Sequence, residues 1–325
     1  MKIGDRLYGE FVISEPVLQE LILSKPVQRL KGVTQHGLPP GHEIFPKFTR
    51  YEHSVGVMLL LRKLGASVEE QVAGLLHDVS HTAFSHVFDF VVNDMTENFQ
   101  DEVHEQIVRK SEIPVILKKY DFDVDKICNI ELFSLLEQKT PELCADRVDY
   151  GLREMVDWAD PENAQFYFDS LTTHDGKIVF SSERAALGFS NAFLRLQNEH
   201  WGNPKQVLCY HFLAKAIRTA LDNDVISMGD AHVTDDVLLK KLIDSDDEQV
   251  QGVLKELATY RFEETDDPDF TCTKKFRYAD PLFMIDGLPN RLSEVNQGFK
   301  KHLEEQRELN KKGVSVKVYF DDEFD

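Results

Sequence analysis

Residues 73–86 read AGLLHDVSHTAFSH, an apolar run that leads into a cluster of polar side chains. The apolar part predicts a buried helix, which places His77 and Asp78 at the end of that helix, inside the protein. Burial of an ionised aspartate is costly unless the carboxylate is paired or binds a metal. A His-Asp pair is nevertheless common by chance. Taken alone, it is better explained as a capped helix end with a histidine packed in the core.

Helical patterns surround this stretch and predict a mainly α protein. The signal is helical almost throughout residues 51–157, where Ser67 followed by two glutamates is typical of a helix start. Past residue 230 a polar helical pair and strand-like segments follow. We therefore expect a helical bundle with flanking helices over residues 1–230 and a small α+β C-terminal appendage over residues 231–325.

Two groups of polar side chains in the helical region are candidates for a functional site. A helix predicted over residues 141–158 presents Asp146, Tyr150 and Glu154 on one face, which an exposed amphipathic surface explains equally well. Five of the chain's twelve histidines lie between residues 53 and 104. They are His53, His77, His81, His86 and His104. This concentration favours function, because a histidine that titrates near neutrality can transfer protons.

The remaining elements are predicted from periodicity and from turn residues. The expected elements are irregular residues 1–10, a strand near 11–13, a helix over 16–24, a loop over 37–47, a strand over 177–181, helices over 182–200, 204–222, 233–244 and 248–260, a strand over 270–276, a helix over 293–311 and a strand over 314–320.

The bulk composition excludes several classes of protein. The chain has 325 residues, of which 42% are hydrophobic, and its formal net charge is −20. A surface this acidic repels polyanions, so nucleic acid is not expected as a main partner. Acidic residues 244–248 and 321–325 are expected to be solvated charge. Because the sequence shows neither a membrane span nor a signal peptide, and its four cysteines are scattered singly, we expect a cytoplasmic protein without a membrane partner.

Three sequence blocks, in this order, resemble the HD-domain phosphohydrolases. They are RYEHSVGV at residues 50–57, LHDVSHTAFSH at residues 76–86 and DRVDY at residues 146–150. The branch that the blocks most resemble is that of the deoxynucleoside triphosphate triphosphohydrolases. The similarity runs from about residue 28 to residue 154, and it is more specific for the superfamily than for any substrate. It implies that the helical bundle of residues 1–230 is an HD phosphohydrolase domain.

The resemblance implies one divalent metal ion, which is Mn, Fe, Zn or Mg. Its ligands are expected to be His53, His77, Asp78 and Asp146. Two imidazoles and two carboxylates suit such an ion. Four protein ligands leave room for water and for a phosphate oxygen, the arrangement that metal-assisted hydrolysis needs.

The resemblance also implies roles for residues around the metal. The catalytic set, expected to position water and to protonate the leaving oxygen, is His81, His86, Asp89 and His104. The substrate-binding set is Gln35, Arg50, Arg147, Tyr150 and Glu154. Within it Arg50 corresponds to a phosphate contact, and Gln35, Tyr150 and Glu154 correspond to positions near the sugar. For Arg147, an ion pair with a neighbouring acid is an equally good explanation.

These features predict a metal-dependent phosphohydrolase acting on a small phosphorylated substrate, a nucleotide. Cleavage of a dNTP to deoxynucleoside and triphosphate is the leading expectation. The alternatives are a nucleoside monophosphate phosphatase, a cyclic-nucleotide phosphodiesterase, and a non-catalytic nucleotide sensor or interaction module. Residues 197–204 lack the tyrosine that dNTP-hydrolysing relatives carry shortly before a downstream histidine, so selection for deoxyribose is not predicted. The resemblance also favours a homo-oligomer, with a dimer as the expectation.

Overall fold

The structure is a computed structural model that describes residues 1–93 and 98–320. It is mainly helical, which confirms the predicted class. The α-helices of the described residues are α1 (Pro16–Leu23), α2 (Lys25–Arg29), α3 (Arg50–Lys63), α4 (Val68–Leu76), α5 (Val87–Val91), α6 (Phe99–Arg109), α7 (Ile113–Lys119), α8 (Val124–Cys128), α9 (Ala145–Glu154), α10 (Ala164–Asp169), α11 (Glu183–Leu196), α12 (Pro204–Asp222), α13 (Asp235–Ile243), α14 (Glu248–Thr259), α15 (Leu292–Val295) and α16 (Gln297–Lys312). Short 3₁₀-helices cover Leu30–Gly32, Ile130–Leu132 and Met228–His232, and short π-helices cover Met155–Ala159 and Gln197–Trp201.

Three small sheets accompany the helices. The strands are β1 (Lys2–Asp5), β2 (Gly9–Val12), β3 (Leu171–His174), β4 (Lys177–Phe180), β5 (Tyr260–Glu264), β6 (Phe270–Cys272), β7 (Leu282–Ile285), β8 (Leu288–Arg291) and β9 (Val314–Phe320). β1 and β2 form a hairpin in which Ile3 pairs with Phe11. The second sheet has the order β3-β4-β7-β8, with β4 and β7 parallel, and the third is antiparallel with the order β5-β9-β6.

The centre of the fold is the pair α3 and α4, against which α9 packs. α3 starts with a capping box between Thr49 and Glu52, and the Ser67 side chain caps α4 as predicted. The two helices can approach closely because Gly74 has no side chain. A Cβ at this position would lie only 2.4 Å from Cδ1 of Leu61. The packing of the two helices places the end of α4 beside the first turn of α3.

Two hydrophobic cores lie on either side of residues 77–86. Val79 belongs to the core built around α1, α3, α4, α9 and α11, whereas Phe84 belongs to the core that joins α5 and α12 to α13, α14 and the third sheet. The histidine-rich segment therefore passes between the cores and is buried for most of its length. Helices on both sides of residue 230 share the second core, and the domain division at that residue stays a prediction.

Some predicted boundaries are wrong. The first ten residues form most of the β1–β2 hairpin instead of an irregular segment. The helix predicted from residue 141 begins only at Ala145, because Cys144 is extended and the amide of Ala145 donates to the carbonyl of Leu135 at 2.7 Å. Buried Glu70 fixes the segment around Leu135, since its carboxylate accepts the amides of Leu135 and Leu136 at 2.8 and 3.1 Å. That segment also interrupts the helical signal predicted over residues 51–157.

Two C-terminal elements are also shorter than predicted. The helix predicted over residues 293–311 is divided at Asn296, whose side chain accepts the amide of Phe299 at 2.9 Å and caps α16. The strand predicted over residues 270–276 ends at Cys272. The acidic tail at residues 321–325 lies outside the described residues. Within residues 1–93 and 98–320, no helix is long and apolar enough to cross a membrane.

Candidate metal centre and substrate pocket

Three of the four predicted metal ligands meet at one point. His53 projects from the first turn of α3, His77 follows the last residue of α4, and Asp146 lies in the first turn of α9. The Nε2 atom of His53 lies 2.9 Å from Oδ1 of Asp146 and 3.3 Å from Nε2 of His77. The Nε2 atom of His77 lies 3.6 Å from the same Asp146 oxygen. These three donor atoms can therefore contact one ion.

Asp78, the fourth predicted ligand, lies against the same centre. One of its oxygens is 3.4 Å from Nε2 of His77, and the other is 3.7 Å from Nε2 of His53. Arg50 donates to the latter oxygen at 2.8 Å. Burial disfavours the charged form of Asp78, but the Arg50 guanidinium and His77 outweigh burial and hold its pKa well below its usual range. The buried carboxylate is therefore ionised.

The Nδ1 atoms of His53 and His77, which point away from the metal centre, each contact a hydrogen-bond acceptor. Nδ1 of His53 lies 2.7 Å from Oδ2 of Asp149, and Nδ1 of His77 lies 2.7 Å from the carbonyl of Gly74. From these partners we assign the Nδ1–H tautomer to each neutral ring. Their Nε2 lone pairs then face one another and the carboxylates of Asp78 and Asp146. Such a group of acceptors forms a favourable binding site for a cation.

The pKa shifts lead to the same conclusion. Burial alone would lower the pKa of His77, but Asp78 and Asp146 outweigh it and raise the pKa to about 9. Burial also opposes protonation of His53, and its hydrogen bonds with Asp146 and Asp149 reverse that effect and raise its pKa. Without a metal, the cluster holds protons instead. Two imidazole nitrogens with carboxylate oxygens fit a divalent ion such as Mn, Fe or Zn.

The four residues predicted to be catalytic lie close to this centre. Nε2 of His81 is 3.4 Å from an oxygen of Asp78. Nδ1 of His86 lies 2.8 Å from Oδ2 of Asp89, and the His81 and His86 rings are 5.1 Å apart. His104 is buried on α6, where its Nδ1 lies 3.1 Å from Oγ of Ser80.

The basicity of two of these histidines is strongly reduced. Burial, with help from nearby Arg50, lowers the pKa of His81 to about 3. Burial and the neighbouring His77 lower the pKa of His104 to about 4. Both rings are therefore neutral at pH 7, and neither carries a proton that it can give up as an imidazolium.

A cavity opens next to the cluster. The residues that line it are Gln35, His36, Arg50, His86, Tyr150, Trp201, Gln206, Tyr210, Lys274 and Arg277. Arg50 connects the cavity to the cluster, because its Nη1 contacts Asp78 while its Nε and Nη2 are fixed by Ser85 and by the carbonyl of Gln35. Of the predicted substrate-binding residues, Gln35, Arg50 and Tyr150 line the cavity.

Arg147 and Glu154 do not line the cavity. Arg147 donates to the carbonyls of Glu142 and Gln138, at 2.5 and 3.2 Å, and fixes the segment before α9. Glu154 is only 1% exposed. Its oxygens accept hydrogen bonds from His200 at 2.5 Å and from Trp201 and Trp158 at 2.6 and 3.2 Å. Whether either residue contacts substrate stays a prediction.

Several residues of the cavity wall were not predicted from the sequence. His36, Trp201, Gln206, Tyr210, Lys274 and Arg277 were not singled out. Trp201 belongs to the stretch in which the expected tyrosine is missing, and its ring lies 5.4 Å from that of Tyr150. Residues 274–277 read KKFR, a basic run in a chain with a net charge of −20. That local contrast in charge was the available signal.

Comparisons with known proteins identify a matching domain and relatives of this chain. The family model that matches is the HD domain, over residues 50–150. The uncharacterized protein YdhJ of Bacillus subtilis is 40% identical over 98% of this chain and 99% of its own length. The metal-dependent phosphohydrolase cns2 of Cordyceps militaris is also 40% identical, over 66% of this chain and 65% of its own length.

More distant matches extend the comparison. The deoxynucleoside triphosphate triphosphohydrolase SAMHD1 of Bos taurus is 34% identical over 27% of this chain and 17% of its own length. The crystal structure of a phosphohydrolase from Bacteroides thetaiotaomicron covers 99% of both chains with a TM-score of 0.71 at 17% identity, so it shares the fold. By its matched domain and its full-length and partial relatives, this chain belongs to the HD-domain family of metal-dependent phosphohydrolases.

Proposed function

We propose that this phosphohydrolase acts on a nucleotide. The observation that carries the proposal is the composition of the cavity beside the metal centre. Tyr150, Trp201 and Tyr210 offer aromatic surface for a base or a sugar, and Arg50 lies between them and Asp78. Aromatic side chains together with a few well-placed polar groups are typical of sites for nucleotide-sized ligands.

The metal would be held by His53, His77, Asp78 and Asp146. When bound, such a metal withdraws charge from a phosphoryl oxygen and lowers the pKa of water. Arg50 is fixed by three contacts and presents its guanidinium to the cavity, where it can orient a phosphate group. The fixed geometry reduces the entropy that binding a phosphate would otherwise cost.

His86 is the best-placed donor of a proton to the leaving oxygen. Its ring lines the cavity, and Asp89 fixes the orientation of the ring through a contact of 2.8 Å with Nδ1. His104 was an equal candidate from sequence. Its pKa is lowered to about 4, so at neutral pH its ring is not protonated and has no imidazolium proton to donate.

The substrate that we favour is a deoxynucleoside triphosphate, cleaved to deoxynucleoside and triphosphate. Its support is the partial similarity to SAMHD1 and the set of HD-type sequence blocks. Hydrolysis of a monophosphate or a cyclic nucleotide would use the same metal centre and differs only in the bond that is cleaved. A nucleotide sensor would bind without turnover.

The test is to purify the protein, measure its bound metals, and incubate it with nucleoside mono-, di- and triphosphates and cyclic nucleotides while identifying the products. Triphosphate release supports the favoured reaction. Orthophosphate or a linear nucleotide would replace it with one of the alternatives, and tight nucleotide binding without any turnover would support the sensor.

A double variant tests whether the measured hydrolysis comes from the proposed site or from a contaminating enzyme. Changing both His77 and Asp78 to alanine removes two proposed ligands and should abolish metal binding and turnover together. Lys300→Met, on the exposed face of α16, is a matched preparation control. Full activity in the double variant would refute the assignment of the site.

A further inference from the structure

Residues 273–281, which connect β6 to β7, form one wall of the cavity. This connecting segment lies outside the matched HD domain and supplies Lys274 and Arg277 to the cavity lining. With Arg50, these are the three permanently charged cations among the lining residues of the described chain. In a protein with a net charge of −20, three cations around one cavity are a marked local exception.

A hydrogen-bonded pair of amides fixes the connecting segment in place. Oε1 of Gln197 accepts the backbone amide of Arg277 at 3.1 Å, and Nε2 of Gln197 donates to Oδ1 of Asn310 at 3.0 Å. Nδ2 of Asn310 then donates to the carbonyl of Lys274 at 3.0 Å. Gln197 is 1% exposed and Asn310 is half-buried, so water has limited access to this anchor. It holds the backbone at both residues that supply a charge.

Aromatic contacts support the same segment. The Phe276 and Tyr278 rings stack with centroids 5.2 Å apart, and the Arg307 guanidinium lies 4.7 Å from the Tyr278 centroid. On the cavity side, Nζ of Lys274 lies 4.1 Å from the centroid of the Tyr210 ring. The ammonium group is thereby positioned on an aromatic wall of the pocket.

Two arginines near the metal centre serve other groups. Arg50 is bound to Asp78 and belongs to the metal centre. Arg147, predicted from the sequence to bind substrate, donates to two backbone carbonyls and does not line the cavity. The connecting segment adds positive charge to the cavity wall separately from the Arg50–Asp78 pair.

We propose that Lys274 and Arg277 form a second phosphate subsite, which binds a phosphate group of the substrate other than the one held beside the metal. The ligand class is a di- or triphosphate ester. Lysine supplies a point charge, and arginine can bind two phosphate oxygens at once. The inference rests on the proposed function, because it assumes a phosphorylated substrate in this cavity, and it deepens that function by favouring polyphosphates over monophosphates.

The test compares the variant Lys274→Met/Arg277→Met with the wild-type protein on the mono-, di- and triphosphate of one nucleoside. We expect KM for the di- and triphosphate to rise about tenfold to a hundredfold, the usual loss for charge-assisted hydrogen bonds. KM for the monophosphate and kcat should change little. Equal KM changes for all three substrates, or no change, would overturn the subsite.

Binding of inorganic pyrophosphate to the metal-loaded protein, measured by calorimetry, gives a readout that does not require turnover. The double variant should bind it at least about tenfold more weakly than Lys300→Met, whereas Lys274→Arg should retain most of the affinity. If no nucleotide is hydrolysed but this difference appears, the proposed function fails and the subsite stands. If nucleotides are hydrolysed and the difference is absent, only the subsite fails.

Discussion

The Asp149 carboxylate lies 2.7 Å from Nδ1 of His53, on the side of the imidazole that faces away from the metal centre. Both side chains are fully buried. The same carboxylate accepts the hydroxyl of Tyr8 at 2.6 Å and Nε of Arg153 at 2.8 Å. Arg153 in turn contacts Asp5 at 2.7 Å. The N-terminal hairpin thus supports a proposed metal ligand through a chain of charged hydrogen bonds.

We predict that Asp149→Asn weakens metal binding by about tenfold to a hundredfold, the usual effect of losing a carboxylate behind a metal-binding histidine. The asparagine can present its amide nitrogen to Nδ1 and so no longer fixes the tautomer. Metal titration of the purified protein measures the effect. Asp246→Asn, at an exposed position, is the matched control. Unchanged metal affinity in Asp149→Asn would show that the carboxylate has only a structural role.

Gly56 on α3 lies directly against this ion pair. A Cβ at this position would lie 2.0 Å from Nη2 of Arg153 and 2.1 Å from Oδ1 of Asp149. We predict that Gly56→Ala lowers the free energy of unfolding by about 1–3 kcal/mol and also weakens metal binding, because the pair must move. Chemical denaturation and metal titration measure the two effects.

Gly252 provides the opposite case within the same protein. It is exposed in α14, and a Cβ there would meet no atom within 4 Å. Gly252→Ala should therefore raise the free energy of unfolding by up to about 1 kcal/mol, through helix propensity alone. Equal stability changes in the two variants would contradict the close packing at Gly56.

The sequence predicts the local parts of this site well. The helix ending in His77 and Asp78 follows from an apolar run and a capping serine, and both features form within one element. The mainly α class is confirmed for the same reason. The positions of His53 and Asp146 required the family resemblance, because nothing within α3 or α9 alone distinguishes a ligand from a polar surface residue.

Long-range contacts explain what could not be predicted. Tyr8 and Asp149 are 141 residues apart, and their hydrogen bond depends on how a hairpin packs against α9. The anchor between Gln197 and Asn310 spans 113 residues. No periodicity or local motif encodes such pairs. The boundary of α9 was missed for a similar reason, since Glu70 from another helix holds the segment before it.

His36 should make stability depend on pH. Burial lowers the pKa of His36 to about 3, against an ordinary value of 6.5, and the nearby Glu154 carboxylate offsets this only in part. Below pH 6.5 the unfolded chain takes up a proton that the folded protein excludes, so folding stability falls with pH. The contribution is constant above pH 7 and amounts to a loss of about 2 kcal/mol by pH 5.

We therefore predict that His36→Gln flattens the dependence of the unfolding free energy on pH between pH 7 and pH 5. Denaturant unfolding at several pH values gives the slope, which can be compared between proteins even when the variant differs in absolute stability. His302→Gln, exposed on α16, should keep the wild-type slope. A wild-type slope in His36→Gln would mean that the folded protein admits the proton.

The choice of proton donor can be tested by kinetics. His86 lines the cavity and is held by Asp89, whereas His104 is buried with a pKa lowered to about 4. We predict that His86→Ala lowers kcat by about a hundredfold or more, the usual contribution of a general acid. His104→Ala should have a smaller effect. Steady-state kinetics, with the metal content measured in parallel, gives kcat for both variants. A larger loss of kcat in His104→Ala than in His86→Ala would assign the donor role to His104.

Glu154 distinguishes a structural role from contact with substrate. Its two oxygens accept N–H groups of His200, Trp201 and Trp158, and burying those donors without an acceptor would be costly. In Glu154→Gln, the amide nitrogen must face at least one of these donors. We predict a loss of about 2–4 kcal/mol in the free energy of unfolding. KM should rise as well, because Trp201 lines the cavity. Unfolding monitored by tryptophan fluorescence measures the stability change. A raised KM with wild-type stability would instead show that Glu154 binds the substrate directly, as the family resemblance implies.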